Sequence, residues 1–132
     1  MNVILWKELN ISNFITNNVT NMRAMFYGFS SLTELNLSNF NTNKVIYMGN
    51  MFNECCSLKE LNISNFNANN VTNMESMFEG CSSLKELNLS NFNTNNVTNM
   101  ECMFSGCSAQ FQNKNRIQYK NIKEKKKHLI KI

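Results

Sequence analysis

A chain of 132 residues with 42% hydrophobic content is long enough for a single domain with one core, and that content argues against wholesale disorder. Pro is absent, Asn fills 27 positions, and no apolar run approaches the roughly 18 residues that a membrane-crossing helix needs. The net charge of +4 is unevenly spread: residues 1–109 hold five basic and eight acidic side chains, whereas 110–132 hold eight basic and one acidic.

The opening "MNVILWKELN" has neither a basic leader nor a long apolar stretch, so no secretory signal is expected, and read as complete the chain would be cytoplasmic. From residue 6 the sequence repeats without insertion or deletion: "WKELNISNFITNNVTNMRAMFYGFSS" (6–31), "LTELNLSNFNTNKVIYMGNMFNECCS" (32–57), "LKELNISNFNANNVTNMESMFEGCSS" (58–83) and "LKELNLSNFNTNNVTNMECMFSGCSA" (84–109). Self-similarity at a fixed period of roughly 20–50 residues marks units that bury their apolar faces by stacking on neighbours.

Each unit divides in two. In the first half of the fourth copy, Leu84, Leu87 and Leu89 have the L-x-x-L-x-L spacing, followed by Phe92. Side chains alternate along a strand, so Leu87 and Leu89 are expected to point inward and Glu86, Asn88 and Ser90 outward. In the second half, Val97, Met100, Met103, Phe104 and Cys107 form the stripe of a short helix, with Thr94 or Asn95 as its cap and Gly106 at its end. Gly28 and Gly80 hold the equivalent place, and Glu54 interrupts the column. The expected fold is an α/β solenoid resembling leucine-rich repeats: four 26-residue coils over 1–109, each with a short parallel strand and a short helix.

Residues 110–132 lose the period and form a basic tail or cap. "RIQY" (116–119) is the expected cap over the last apolar edge, and the run beyond it suits weak contact with polyanions such as anionic membranes. Nothing there has the features of a specific nucleic-acid site.

The repeats resemble the BspA-like leucine-rich repeats, the "LxxLNLSxFxTxxVTNMxxMFxGCxS" type also found in mycoplasmal proteins of unknown function. The resemblance covers about 6–108 and rests on the "NVTNM" core at 18–22, 70–74 and 96–100, weakened over 45–48. It implies a right-handed leucine-rich solenoid, part of a long cell-surface protein that binds host or matrix proteins, and it implies no catalysis, cofactor or metal.

The side chains agree with a non-catalytic reading. Residues 1–109 contain no His, and their carboxylates recur in a column, Glu8, Glu34, Glu60 and Glu86, unlike one asymmetric active site. Cys55, Cys81 and Cys107 share a column that Phe29 continues, so they are expected to be buried free thiols rather than disulfides or zinc ligands. The Met pairs at 22/25, 48/51, 74/77 and 100/103 are expected to be core rather than a soft-metal site. Sequons at Asn10, Asn18, Asn36, Asn62, Asn70, Asn88 and Asn96 accompany the repeat and are not expected to be glycosylated.

The expected function is a non-catalytic protein-interaction module, a fragment of a surface adhesin. Its partner would be a host, matrix or cellular protein, or a glycan, met on the face carrying Glu34, Asn36, Ser38, Glu60, Asn62, Ser64, Glu86, Asn88 and Ser90. The alternatives are an intracellular repeat scaffold and a repeat stub that binds polyanions through its tail.

Overall fold

The computed structural model describes residues 7–114 and Glu124. Its regular elements are β1 (Glu34–Asn36), β2 (Glu60–Asn62) and α1 (Ala109–Lys114). β1 and β2 pair in parallel, with Glu34 opposite Glu60, Leu35 opposite Leu61 and Asn36 opposite Asn62. Single parallel bridges link Asn21 to Tyr47, Tyr47 to Asn73 and Asn73 to Asn99.

This corrects the expected α/β solenoid of four strand-and-helix coils. Among the described residues, two three-residue strands stand where four were expected, and helix α1 follows the repeats instead of recurring within them. The segment expected to be a helix in each repeat is a series of tight turns.

The amide groups give the reason. Met22, Ala24, Phe26 and Gly28 donate to the carbonyls of Tyr47, Gly49, Met51 and Asn53 in the next repeat, at 2.9, 3.0, 2.9 and 2.9 Å. Between them, Met25, Tyr27 and Phe29 donate to carbonyls three residues back. The same alternation recurs from Met48 and from Met74. An α-helix would send each N–H to the carbonyl four residues back, and here those donors are committed elsewhere. Ala24, Asn50, Ser76 and Cys102 also have φ of 56°, 58°, 53° and 57°, and Gly28, Glu54, Gly80 and Gly106 are left-handed too. A right-handed helix excludes that backbone. Gly80 and Gly106 therefore serve turns, not the end of a helix.

The apolar stripe is core as its composition demands. Val71, Met74, Met77, Phe78 and Cys81, with their counterparts 26 residues on either side, are buried from the second repeat onward. Each Phe lies on the next: Phe26 on Phe52 at 5.7 Å, Phe52 on Phe78 at 5.5 Å and Phe78 on Phe104 at 5.9 Å, with planes within 9° of parallel. Offset rings at this spacing contribute about 0.5–1.5 kcal/mol per pair beyond burial.

The stack is closed by α1. Phe111 is fully buried, 5.8 Å from Phe104, and its N–H is held by the Ser108 hydroxyl at 3.1 Å. The cap is thus Phe111; the "RIQY" segment expected to cap the repeats, and the basic run after it except Glu124, lie outside the described residues.

Candidate interaction face

The face begins with Asn. The side-chain oxygen of Asn36 accepts the backbone N–H of Ser38, and Asn62 and Asn88 hold Ser64 and Ser90 in the same way, at 2.9, 3.2 and 3.0 Å. These are Asx turns, in which a short amide side chain replaces a backbone partner two residues on. The Ser64 and Ser90 hydroxyls donate to the same Asn oxygens, at 2.8 and 2.6 Å. The oxygen of each carboxamide is therefore committed to shaping the turn, on a residue that is itself exposed.

Two further Asn columns bind one repeat to another. Asn39 donates Nδ2 to the carbonyls of Ile11 and Ser12, Asn65 to Phe40 and Asn91 to Ser64. Asn70 and Asn96 donate to the carbonyls of Asn43 and Asn69, at 2.7 and 2.6 Å. Buried Thr16 and Thr42 each donate to and accept from the backbone of the following repeat, at Asn41 and Asn67. Ala68 stands third in that column and has no hydroxyl.

All nine candidate residues, Glu34, Asn36, Ser38, Glu60, Asn62, Ser64, Glu86, Asn88 and Ser90, are exposed. The Glu-Leu-Asn segments at 34–36, 60–62 and 86–88, with Lys59 and Lys85, line one open depression. A second depression, lined by Glu8, Asn10, Ser12, Asn36 and Ser38, continues the same columns into the first repeat. The strand register sets Glu34 directly beside Glu60, a like-charge pairing that costs stability. Glu8, Asn10 and Ser12 extend the surface beyond the nine residues selected from the sequence; the 26-residue columns already contained that signal. The cross-repeat role of Asn39, Asn65 and Asn91 had no such signal, since it depends on which carbonyl each amide reaches.

The other candidate chemistries resolve into packing. Cys55, Cys81 and Cys107 are buried free thiols that donate to the carbonyls of Phe26, Phe52 and Phe78, at 3.1, 3.2 and 3.3 Å. Burial pushes the Cys55 and Cys107 thiols up to about 12 and raises Cys81 likewise. Among the described residues no three His, Cys, Asp or Glu side chains converge as metal ligands would, and no helix is long and apolar enough to cross a membrane. The Nδ2 atoms of the sequon residues Asn70 and Asn96 are the ones bonded to the preceding repeat.

Comparison with known proteins places these repeats. The family model described as "Mycoplasma protein of unknown function, DUF285" matches residues 3–119. No curated protein matches the chain, and no solved structure does.

Proposed function

We propose, for a chain that belongs to the family of Mycoplasma proteins of unknown function DUF285, that it is a non-catalytic interaction module that meets a protein or glycan on the Glu–Asn–Ser face. The observation that carries this reading is the continuous depression lined by three Glu-Leu-Asn segments in successive repeats. Recurrence gives a partner the same polar groups at regular intervals, so individually weak contacts sum over several repeats. Exposed carboxylates there act on association rate and salt dependence more than on intrinsic affinity. The affinity of the motif to BspA-like repeats belongs to the same proposal, and the spacing of Leu58, Leu61 and Ile63 supports it.

The test starts with a partner captured from matrix or cell lysate. Replacing Glu34, Glu60 and Glu86 together by Lys is expected to weaken its binding and leave the fold intact. Replacing Glu75 and Glu101 on the turn side is expected to change little. Loss of binding in the turn-side variant with retention in the Glu34/Glu60/Glu86 variant would show that recognition lies elsewhere.

A further inference from the structure

The Asn-x-Ser/Thr sequons stand in two columns that the fold treats differently. In Asn70-Val71-Thr72 and Asn96-Val97-Thr98, both the amide nitrogen and the hydroxyl are used between repeats. Asn70 and Asn96 donate Nδ2 to the carbonyls of Asn43 and Asn69. The Thr72 and Thr98 hydroxyls donate to the carbonyls of Ile46 and Thr72, at 3.4 and 3.2 Å. A substituent on either Nδ2 would displace the bond that ties it to the preceding repeat.

Asn10, Asn36, Asn62 and Asn88 are used differently. All four are exposed, and none donates a hydrogen bond through Nδ2 among the described residues. Each Oδ1 accepts the backbone N–H of the Ser two residues on. At Asn10, Asn62 and Asn88 it also accepts that Ser's hydroxyl, at 2.8, 2.8 and 2.6 Å. The turn does not need the hydroxyl. Asn21, Asn67 and Asn73 close the same turn on the backbone N–H of Arg23, Asn69 and Glu75. Where the turn alone sets it, the third residue can thus be Arg, Asn or Glu, yet it is Ser at 12, 38, 64 and 90. The hydroxyls of these Ser residues make no other bond among the described residues. The turn accounts for the Asn and leaves the Ser unexplained. An exposed Asn with its amide nitrogen uncommitted, and a hydroxyl two residues on, is the acceptor that N-linked sugar transfer requires.

We propose that Asn10, Asn36, Asn62 and Asn88 are acceptor sites for N-linked sugar, delivered by a transferase from a phosphate-activated sugar donor. Nδ2 forms a bond to the anomeric carbon as the bond from that carbon to the donor phosphate breaks. The electron pair of the broken bond leaves with the phosphate, and the displaced Nδ2 proton passes to a base of the transferase. This departs from the expectation of unmodified sequons in this one column. It does not rest on the Glu–Asn–Ser face being a binding surface, because the sugar is read by mass with no partner present.

The test is mass spectrometry of the full protein purified from the cells that naturally make it, first intact and then as peptides fragmented to place each sugar. Sugar increments are expected in the column of Asn10, Asn36, Asn62 and Asn88, with Asn70 and Asn96 bare. At an occupied Asn88, Ser90→Ala made in the same cells is expected to lose the sugar and keep the parent's urea midpoint, since the N–H still closes the turn. Ser90→Thr is expected to keep the sugar. An entirely bare native protein would overturn the proposal and leave the Ser column to partner contact. Sugar on Asn70 or Asn96 at the level found in the exposed column would overturn it too, as would sugar retained at Asn88 in Ser90→Ala.

Discussion

Phe52 and Phe78 lie face to face with ring centroids 5.5 Å apart and planes 9° from parallel, although 26 residues of chain separate them. The period in the sequence is therefore a distance in space: each residue meets its counterpart in the next repeat. Any substitution in a buried column is felt by the repeats on both sides, whereas one on the exposed face is felt by solvent.

Phe78 sits between Phe52 and Phe104, so Phe78→Ala removes two ring contacts and leaves a cavity. It is expected to cost about 3–5 kcal/mol. Ile15→Asn, at an 86% exposed position, is expected to stay within about 0.5 kcal/mol of the parent. Urea midpoints of the two variants check the contrast; equal shifts would mean that the Phe column is not core.

Ala68 interrupts a column in which Thr16 and Thr42 bridge to the next repeat through their hydroxyls. The Asn93 N–H, which such a hydroxyl would hold, instead bonds the Asn91 carbonyl at 3.0 Å. Ala68→Thr is expected to restore the bridge and stabilise by about 1 kcal/mol. Thr42→Ala is expected to destabilise by about 1–3 kcal/mol, because it strips the partner from a backbone amide. Thermal unfolding of both variants reads the opposite signs.

Glu54 and Gly80 hold the same left-handed position in successive repeats, with φ of 62° and 75°. A side chain there costs about 1–2 kcal/mol, partly offset by the freedom that Gly has when unfolded. Glu54→Gly is expected to raise stability by about 0.5 kcal/mol. Gly80→Ala is expected to lower it by about 1–2 kcal/mol; its Cβ would also fall 2.9 Å from a Glu54 carboxylate oxygen. Melting temperatures shifting the same way for both would contradict this assignment.

Thiol burial predicts the alkaline behaviour. Cys55 and Cys107 are raised from 9.0 to about 12 in the folded chain, by desolvation first of all. The unfolded chain loses these protons first, so the contribution is fully present below pH 9 and is lost as pH climbs towards 12. Each thiol lowers stability by up to about 1.4 kcal/mol per pH unit in that window. Denaturant titrations are expected to give flat stability from pH 6 to 8 and a fall above about pH 9, reduced when Cys55 and Cys107 are replaced by Ala. At neutral pH, half-buried Cys56 and Cys102 are expected to react with a thiol reagent before the three buried cysteines.

The columns were legible in the sequence because burial follows the 26-residue period. Val71, Met74, Met77, Phe78 and Cys81 are all core, and Glu86, Asn88 and Ser90 are exposed while Leu87 and Leu89 between them are buried, although no strand forms there. The helix was not legible. Val, Met and Phe at three- and four-residue spacing mark a helix only if each N–H bonds within its own segment. Here every second one crosses to the next repeat, and the left-handed residues that allow this, Ala24, Asn50, Ser76 and Cys102, have no residue type in common. Phe111 was missed because it lies past the end of the period, where no column points to it.

The central claim is that the Glu–Asn–Ser face meets the partner, and carboxyl footprinting tests it most directly. The full chain is treated with a carbodiimide and an amine, alone and saturated with the captured partner, and modification is read at each Glu by mass spectrometry. Bound partner is expected to suppress labelling at Glu34, Glu60 and Glu86 together and to leave Glu75, Glu79 and Glu101 unchanged. Suppression at Glu75, Glu79 and Glu101 with Glu34, Glu60 and Glu86 still labelled would contradict the account.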